Sequence, residues 1–579
     1  MSDENKTRRP YAPRMSPHQT YEEINSYVVF WGLFFSVLFA LAVGYLCLKI
    51  GQTVDAFAPV SVLAMGMAVL FHRRNAFPET VHIQAIASAG TNIIGGAMFI
   101  LPALYILNIE DVSFLEMAIP IVLGGVLGVF LATVFRRYFC EEMDGVYPFP
   151  SGSAAAEVLE SDEGSKAHIM LVSGAVALVY DFVLNSRGWW QELLTTTTFH
   201  WGQVLADKYK LVFSLDNDAA LLGIGMLAMS GIIGLLSMSG VVVRVVKRAV
   251  ADLFSKGASS SGMLLRTQQD LPMTQIVFGS LLMTILFAVF FHVMCAESLT
   301  QTVIAFVLVM LFALMLSVVG ISSIAFTGNE PVSGMTIFMI IVSAVVMGGA
   351  GMAGKTGIIA ILMMAAFLCA TLAVSGNFMS ELKVAYITGA TPKKMQQWQL
   401  VSIVLAGVVS VGVVFLMHHA YGFTGEGALA APQANAMAAI VKPMMDGGDA
   451  PWPLYMAGAF FAVLLWMMKI PPLAFALGSY LPMGINTPVL VGGLISYFVS
   501  HSSDDAKVNA KRLSEGNTVA SGFVAGGAIG SLISAVLHIA GIDWFAKAWA
   551  ASPAATFAGI VAYFVLCIFL YAMAKRAVK

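Results

Sequence analysis

The stretch Leu46–Gly66, LCLKIGQTVDAFAPVSVLAMG, runs apolar to Gly51, places Gln52, Thr53 and Asp55 in a short irregular piece, and turns apolar again past Pro59. Phe475–Gly493, FALGSYLPMGINTPVLVGG, repeats the design of apolar run, glycine, irregular piece, proline and apolar run. The sequences that follow are also alike: ASAGTNIIGGAM at 87–98 and ASGFVAGGAI at 520–529. Interrupting a helix frees backbone N–H and C=O groups, which membrane depth tolerates only where they are buried in protein or line a cavity. Two interrupted apolar segments at matching places in the two halves of a chain point to the binding site of a secondary transporter.

Composition agrees with a membrane setting. Of 579 residues, 58% are hydrophobic and 11% charged, with a mean hydropathy of +0.82; soluble domains carry about 25% charged residues. The expected fold is an all-α integral membrane protein, a polytopic bundle with internal repeats and broken or re-entrant segments. A net charge of −2 gives no footing for nucleic-acid binding. The five cysteines, Cys47, Cys140, Cys295, Cys369 and Cys567, are far apart and form no C-x-x-C pair, so neither a disulfide framework nor a thiolate metal site is expected. No cofactor and no metal is expected. Met1–Glu23 is polar and proline-containing, unlike a signal peptide.

A spanning helix needs about 20 mostly apolar residues. Candidate runs are 27–50, 56–71, 83–107, 115–135, 168–186, 219–243, 274–295, 302–320, 335–352, 356–377, 401–420, 454–476, 487–500, 517–541 and 554–575. Lys6, Arg8, Arg9 and Arg14 place the N-terminus in the cytoplasm by the positive-inside rule. Arg73 and Arg74, Arg136 and Arg137, Arg244 to Lys256, and Lys383 to Lys394 then fall on the same side. Lys507 to Arg512 and Lys575 to Lys579 do not, unless one more crossing or re-entrant element lies near 454–500; Ala434–Met445 is the suspect. An even total of about 16 helices returns the C-terminus to the cytoplasm. The expected division is a cytoplasmic tail at 1–26 and two membrane halves at 27–270 and 271–579. Ser186–Asp218 and Gly422–Pro453 are expected as outer loops, with Trp189, Trp190 and Trp201 suited to an interfacial belt.

Four stretches carry candidate chemistry. In Pro78–Leu104, Gln84, Ser88, Thr91 and Asn92 recur at helical spacing and form one face, which serves either a ligand or close packing through small residues. In YPFPSGSAAAEVL (147–159) the prolines and glycine break the helix, Ser151 or Ser153 can cap a short helix carrying Glu157, and a helix start facing a cavity suits an anion. An ordinary connector is the competing reading. SGNFMSELKVAYITGATPKKMQQ (375–397) holds Glu381, Lys383 and Tyr386 before Gly389 and Pro392; around a membrane break these groups suit a zwitterionic ligand, and in a loop they are solvated charges. Lys49, Gln52 and Asp55 at the first break and Asn486 at the second complete the candidate ligand contacts. Glu330, Asn329, Asp181 and His292 are further ionisable or polar groups within apolar regions, while His418 and His419 suit an interface.

Five blocks, LCLKIGQTVDAFAP (46–59), QAIASAG with FILPAL (84–90 and 99–104), YPFPSGSAAAEVL (147–159), ELKVAYITGATPKK (381–394) and ALGSYLPMGINTPVLVGG (476–493), resemble the oligopeptide transporter family, in particular its prokaryotic members and the related yellow stripe-like metal-chelate transporters. The resemblance covers nearly the whole chain in the family's order. It implies about 16 helices built by duplication and proton-driven symport of small peptides or chelated metal. Glu79, Gln84, Glu157, Lys383, Tyr386, Gly389 and Pro392 fall on family positions. Thr91 and Ser151 stand where many relatives carry carboxylate or other polar groups, which places coupling on another residue or implies a different substrate.

The reading is a secondary active importer of small oligopeptides in the inner cell membrane, driven by protons, and not an enzyme. Glu157 is the first choice for proton coupling, with Glu79 and Glu381 in reserve, because a carboxylate that carries a proton must change its affinity with solvation. The alternatives are a metal-chelate transporter and a passive channel. No H-E-x-x-H or G-x-S-x-G motif supports an intramembrane hydrolase. The partners are the peptide, protons and the bilayer, and assembly of several copies is compatible with the sequence. Gly349–Thr356, GAGMAGKT, fits the phosphate-loop pattern but lies between two apolar runs, without the strand that a nucleotide site requires. Lys355→Ala is therefore expected to leave transport unchanged in a vesicle uptake assay; saturable ATP binding that this variant loses would contradict it.

Overall fold

Each helix begins and ends where the backbone chemistry requires it. The computed structural model describes residues 13–51, 53, 57–144, 147, 149–160, 164–209, 211–223, 265–327, 332–425, 428–446, 452–468, 475, 483–540, 542, 544, 546–550 and 552–576. The helices are α1 (Ser26–Ile50), α2 (Phe57–Leu70), α3 (Ala76–Asn92), α4 (Ile94–Met98), α5 (Pro102–Ile106), α6 (Phe114–Arg136), α7 (Pro150–Glu160), α8 (Gly164–Arg187) and α9 (His200–Tyr209). After them come α10 (Met273–Met294), α11 (Leu299–Thr327), α12 (Val332–Gly349), α13 (Gly354–Thr388), α14 (Pro392–Tyr421) and α15 (Pro432–Met445). The last are α16 (Trp452–Met467), α17 (Met483–Ser500), α18 (Ala506–Ile539), α19 (Lys547–Ala550) and α20 (Pro553–Arg576). Strands β1 (Leu193–Thr195) and β2 (Ser214–Asp216) pair antiparallel, Leu194 opposite Leu215.

Eight stretches among the described residues are long and apolar enough to cross a membrane: Ser26–Ile50, Ala76–Ile106, Phe114–Glu142, Arg266–Met294, Leu299–Ala325, Gly354–Thr388, Pro392–Tyr421 and Pro553–Arg576. Shorter apolar helices lie at Pro59–Leu70, Met335–Gly349, Met456–Leu465 and Asn486–Ser500. The protein is an all-α polytopic membrane protein. Among the described residues the five cysteines form no disulfide, and burial pushes the Cys295 thiol, just past α10, up to about 12.

The chain forms two compact units. The first holds Met1–Asp162, Leu235–His418 and Gly422–Ile470, and the second Glu163–Gly234, His419–Tyr421 and Pro471–Lys579. These units interleave along the chain, and in the first α13 packs on α6 and α3.

In the first unit α13 is the axis. It spans 35 residues, about 52 Å at the helical rise, and Gly357–Ala385 is buried with few breaks. A helix apolar all round belongs inside a bundle. Its neighbours approach through small residues, as membrane packing favours. Thr371 Oγ1 donates to the Gly124 carbonyl of α6 (3.0 Å), and a Cβ placed on Gly124 would meet the Phe367 carbonyl at 2.1 Å. Likewise a Cβ on Gly90 of α3 would meet the Ser36 carbonyl of α1 at 2.0 Å. In the second unit α18 lies on α8 in the same way: a Cβ on Gly526 would meet the Gly174 carbonyl at 2.0 Å, and one on Gly530 the Leu178 carbonyl at 2.5 Å. The related ASAG and ASG stretches therefore each supply a close helix contact. A core of Ala177, Tyr180, Phe523, Tyr563 and Leu566 closes this unit.

Several expectations are corrected. The run 83–107 is not one regular helix: α3 starts at Ala76 and the chain breaks after Asn92 into α4 and α5. The run 356–377 extends to Thr388, so Glu381, Lys383 and Tyr386 lie within a helix, and the break comes at Gly389, whose φ of 80° ends α13. Ser151 and Ser153 lie inside α7, not at its cap; Ser153 N–H donates to the Phe149 carbonyl (2.7 Å). Residues 186–218 hold a hairpin and α9, and 422–453 hold α15. Asn329 and Glu330 lie outside the described residues, as does much of 219–243. GAGMAGKT is a turn between α12 and α13, where Lys355 pairs with Asp111.

The close contacts give a stability test. Gly90→Ala drives a methyl into backbone, and overpacking of this kind costs about 1–3 kcal/mol, whereas Gly412 on α14 has open space at its Cβ position. Thermal unfolding in detergent is expected to fall for Gly90→Ala and to stay unchanged for Gly412→Ala.

Candidate functional site

Helix α1 ends at Gly51, whose φ of 70° reverses the chain and whose N–H returns to the Cys47 carbonyl (2.8 Å). The freed acceptors at this break find partners at the start of α15. Gln433 Nε2 donates to the Gly51 carbonyl (2.9 Å) and Ala431 N–H to the Leu48 carbonyl (2.9 Å). A second interruption lies against it: a Cβ built on Gly95 would sit 3.6 Å from the Thr53 methyl. The first broken segment expected from the sequence is therefore present. Its counterpart at 477–488 lies outside the described residues up to 482, with α17 starting at Met483.

The polar residues of α3 are buried from Glu79 to Asn92. Gln84 Nε2 donates to Glu381 Oε1 on α13 (2.9 Å), with both residues fully buried. Gln84 Oε1 is also buried and has no hydrogen-bond partner among the described residues. Ser88 and Thr91 turn back on their own helix, donating to the Ala85 carbonyl (2.9 Å) and the Ser88 carbonyl (3.0 Å). Asn92, where α3 breaks, is 1% exposed, and neither amide atom has a hydrogen-bond partner among the described residues. A buried amide in that condition costs about 1–3 kcal/mol, which makes Asn92 a strong candidate for contact with a ligand or ordered water.

Two residues on from Glu381, and so on another side of α13, Lys383 faces elsewhere. Its ammonium group pairs with Asp144 Oδ1 (2.6 Å), donates to the Cys140 carbonyl (3.1 Å) and lies 4.6 Å from the Tyr386 ring centroid. Tyr386 OH is 3.5 Å from Asp144 Oδ2. Glu79 is held by Arg73 through two bonds (2.8 and 2.5 Å) and by Asn25 Nδ2 (2.8 Å). The hydrogen bond to Glu79 raises the Arg73 guanidinium above its ordinary value, and burial opposes it. These two networks of the first unit are thus ionic, whereas the α3–α13 bridge pairs a carboxyl group with an amide.

The remaining predicted residues are placed as follows. Lys49 is buried in the last turn of α1; Gln52 and Asp55 lie outside the described residues. Ser151 is half-buried in α7, and Glu157 is on the same helix with a side chain outside the described set. Asn486 is half-buried on α17 in the second unit. Asp181, also in that unit, accepts from Ala219 N–H (3.1 Å). His292 Nδ1 is 2.8 Å from Thr302 Oγ1, and His418 stacks on Tyr105 (3.9 Å). Sequence reasoning missed Glu23, His82, Asp144, Arg266, Asp270 and Gln433. Asp144 carried a signal, lying three residues before YPFPSG; Glu23 sat in a stretch read as a polar tail.

Comparison with known proteins converges on one family. The family model described as OPT oligopeptide transporter protein matches residues 23–246 and 215–538. The chain is similar to a Haemophilus influenzae protein named "Putative oligopeptide transporter", 22% identical over 596 residues that cover 86% of this chain and 93% of that one. It is also similar to the Arabidopsis thaliana protein named "Probable metal-nicotianamine transporter YSL5", 30% identical over 187 residues covering 29% of this chain and 25% of that one.

The Lys383–Asp144 pair is testable by a double-mutant cycle. Lys383 is 4% exposed and Asp144 41%, so Asp144→Asn leaves a buried cation without its carboxylate and is expected to cost about 1–3 kcal/mol of stability. Adding Lys383→Met should recover part of that loss; strict additivity of the two losses would show that the pair is not coupled.

Proposed function

The chain belongs to the OPT oligopeptide transporter family, and on that footing we propose that it carries short peptides inward across the cell membrane together with protons. The observation that carries the coupling is the Gln84–Glu381 bridge. An ionised Glu381 accepts from the Gln84 amide nitrogen. A protonated Glu381 has in addition a donor to offer, and the same amide holds an unfilled buried acceptor, Oε1. Both protonation states can thus be hydrogen-bonded at one place, which a proton carrier needs.

In this reading Glu381 takes the coupling role, ahead of Glu79, whose carboxylate is already occupied by Arg73 and Asn25, and beside Glu157 on α7. The substrate lies by the end of α1 and the polar face of α3, with Asn92 and Gln84 as contacts and Lys49, Ser88, Thr91 and Ser151 around them; the candidates Gln52 and Asp55 lie outside the described residues. Lys383 and Tyr386 guard the basic end of the pathway. The end of the first unit that carries Arg73, Arg136, Arg266 and Lys394 faces the cytoplasm by the positive-inside rule. A total of about 16 helices, with both termini cytoplasmic, follows from charge parity. The similarity to a transporter named for metal-nicotianamine makes an amino-acid-like metal chelate the second substrate class; among the described residues no group of three or more His, Cys, Asp or Glu could hold a bare metal.

The test is uptake into proteoliposomes. Labelled di- and tripeptides should accumulate above the outside concentration when the outside is acidic and only equilibrate without the gradient. Glu381→Gln keeps shape and amide bonding while removing the titrating group; uphill accumulation should be lost and exchange of substrate kept. Accumulation of chelated metal but not peptide would move the substrate class, and equilibration under every gradient would make the protein a channel.

A further inference from the structure

His82 lies on α3 two residues before Gln84. Its Nδ1 is 3.0 Å from the Pro78 carbonyl, and a carbonyl only accepts, so Nδ1 carries the hydrogen. A neutral imidazole then presents a lone pair at Nε2. That atom is buried, has no hydrogen-bond partner among the described residues, and lies 3.6 Å from Glu23 Oε2. Two acceptors therefore face each other in a fully buried pair, beyond hydrogen-bond length.

Glu23 is where four parts of the first unit meet. Its Oε1 takes bonds from Arg266 Nη1 and from Thr391 Oγ1 (2.9 Å), and Lys394 Nζ stands 3.2 Å from Oε2. Arg266 further binds the carbonyls of Gln19 (3.0 Å) and Ser16 (3.1 Å), and Met15 N–H donates to the Thr388 carbonyl (3.0 Å). The segment from Met15 to Glu23 is thereby strapped across the ends of α3, α13 and α14.

We propose that the His82–Glu23 pair is a proton-binding site at this end of the unit, in which a proton on His82 replaces Lys394 as the counter-charge of Glu23. The proton adds to the Nε2 lone pair, and the resulting imidazolium donates to Oε2, turning the contact between two acceptors into a charge-assisted hydrogen bond. The groups that bear on His82 are Glu23, which favours the charge, Lys394 and Arg266, which oppose it, and the Glu79–Arg73 pair one turn earlier on α3. Arg266 is locked by four bonds, whereas the Lys394 side chain is 39% exposed and free to swing into water. Its exchange for the proton would loosen the strap from α14. The role in transport rests on the proton-coupled reading above; the proton site itself does not.

The experiment is nitrogen NMR of the full-length protein in nanodiscs with labelled histidine imidazoles, His82 being assigned among ten histidines with His82→Asn. The expected result is an Nδ1–H tautomer at high pH that converts to imidazolium on acidification while the protein stays folded. In Glu23→Gln the conversion should move at least about one unit to lower pH, and in Lys394→Gln to higher pH. Lys394→Gln alters a half-exposed side chain and gives a result on its own if Glu23→Gln fails to fold. A His82 that stays neutral throughout, or that Lys394→Gln leaves unmoved, overturns the proposal. Because nothing is transported, a titrating His82 stands even if peptide uptake proves independent of pH.

Discussion

The carbonyl of Gly51 needs a donor, and in a membrane no water is at hand to provide one. Its partner, the Gln433 amide 382 residues away in sequence, fixes much of the first unit. Once α1 is cut at Gly51, α15 must come to its broken end, and Thr53 must pass close to Gly95, where the second interruption lies. Leaving such an acceptor unfilled would cost about 1–3 kcal/mol, a large fraction of the stability of any domain. A chain that keeps two adjacent interruptions and a helix to satisfy one of them is spending structure on exposing backbone and polar groups inside the bundle. That is the setting a substrate requires.

Around this centre the charges are sorted by depth. Arg136 binds both oxygens of Asp270 and also Glu141, and Gln396 joins the same carboxylate. With Glu23, Asp144 and Glu79 and their cations, these networks bind the residues 265–271 and the 15–25 strap to the ends of α3, α6, α13 and α14. Coulomb attraction strengthens where water is excluded, and so does the cost of removing one partner. Farther along α13 toward its start come Glu381 with its amide partner and then an apolar stretch. The order is thus an ionic network at one end and a carboxyl–amide bridge inside it.

The membrane class, the end of α1 at Gly51 and the polar residues of α3 were legible because each is written in local sequence: hydropathy, a glycine and helical spacing. The extent of α13 was not. Glu381 and Lys383 read as the end of a membrane helix because charge is costly there, yet the helix runs on to Thr388, since Gln84, 297 residues distant, and Asp144, 239 residues distant, receive them. Glu23 was illegible for the same reason. In sequence it is one more polar residue in a tail; in the fold it is buried because Arg266, Thr391, Lys394 and His82 converge on it. Ser88 and Thr91 show the converse: the spacing was right, but their hydroxyls serve their own helix.

The central claim is that substrate movement and proton movement are one event. It is tested most directly by finding the pH gradient at which net flux vanishes, in proteoliposomes preloaded with peptide and with the membrane potential clamped at zero. A coupled carrier must stop and reverse where the proton gradient balances the peptide gradient, so a tenfold excess of peptide inside should be held by about one pH unit if one proton accompanies each peptide and by about half a unit if two do. A reversal that occurs only at equal peptide concentrations, whatever the pH gradient, would contradict the account.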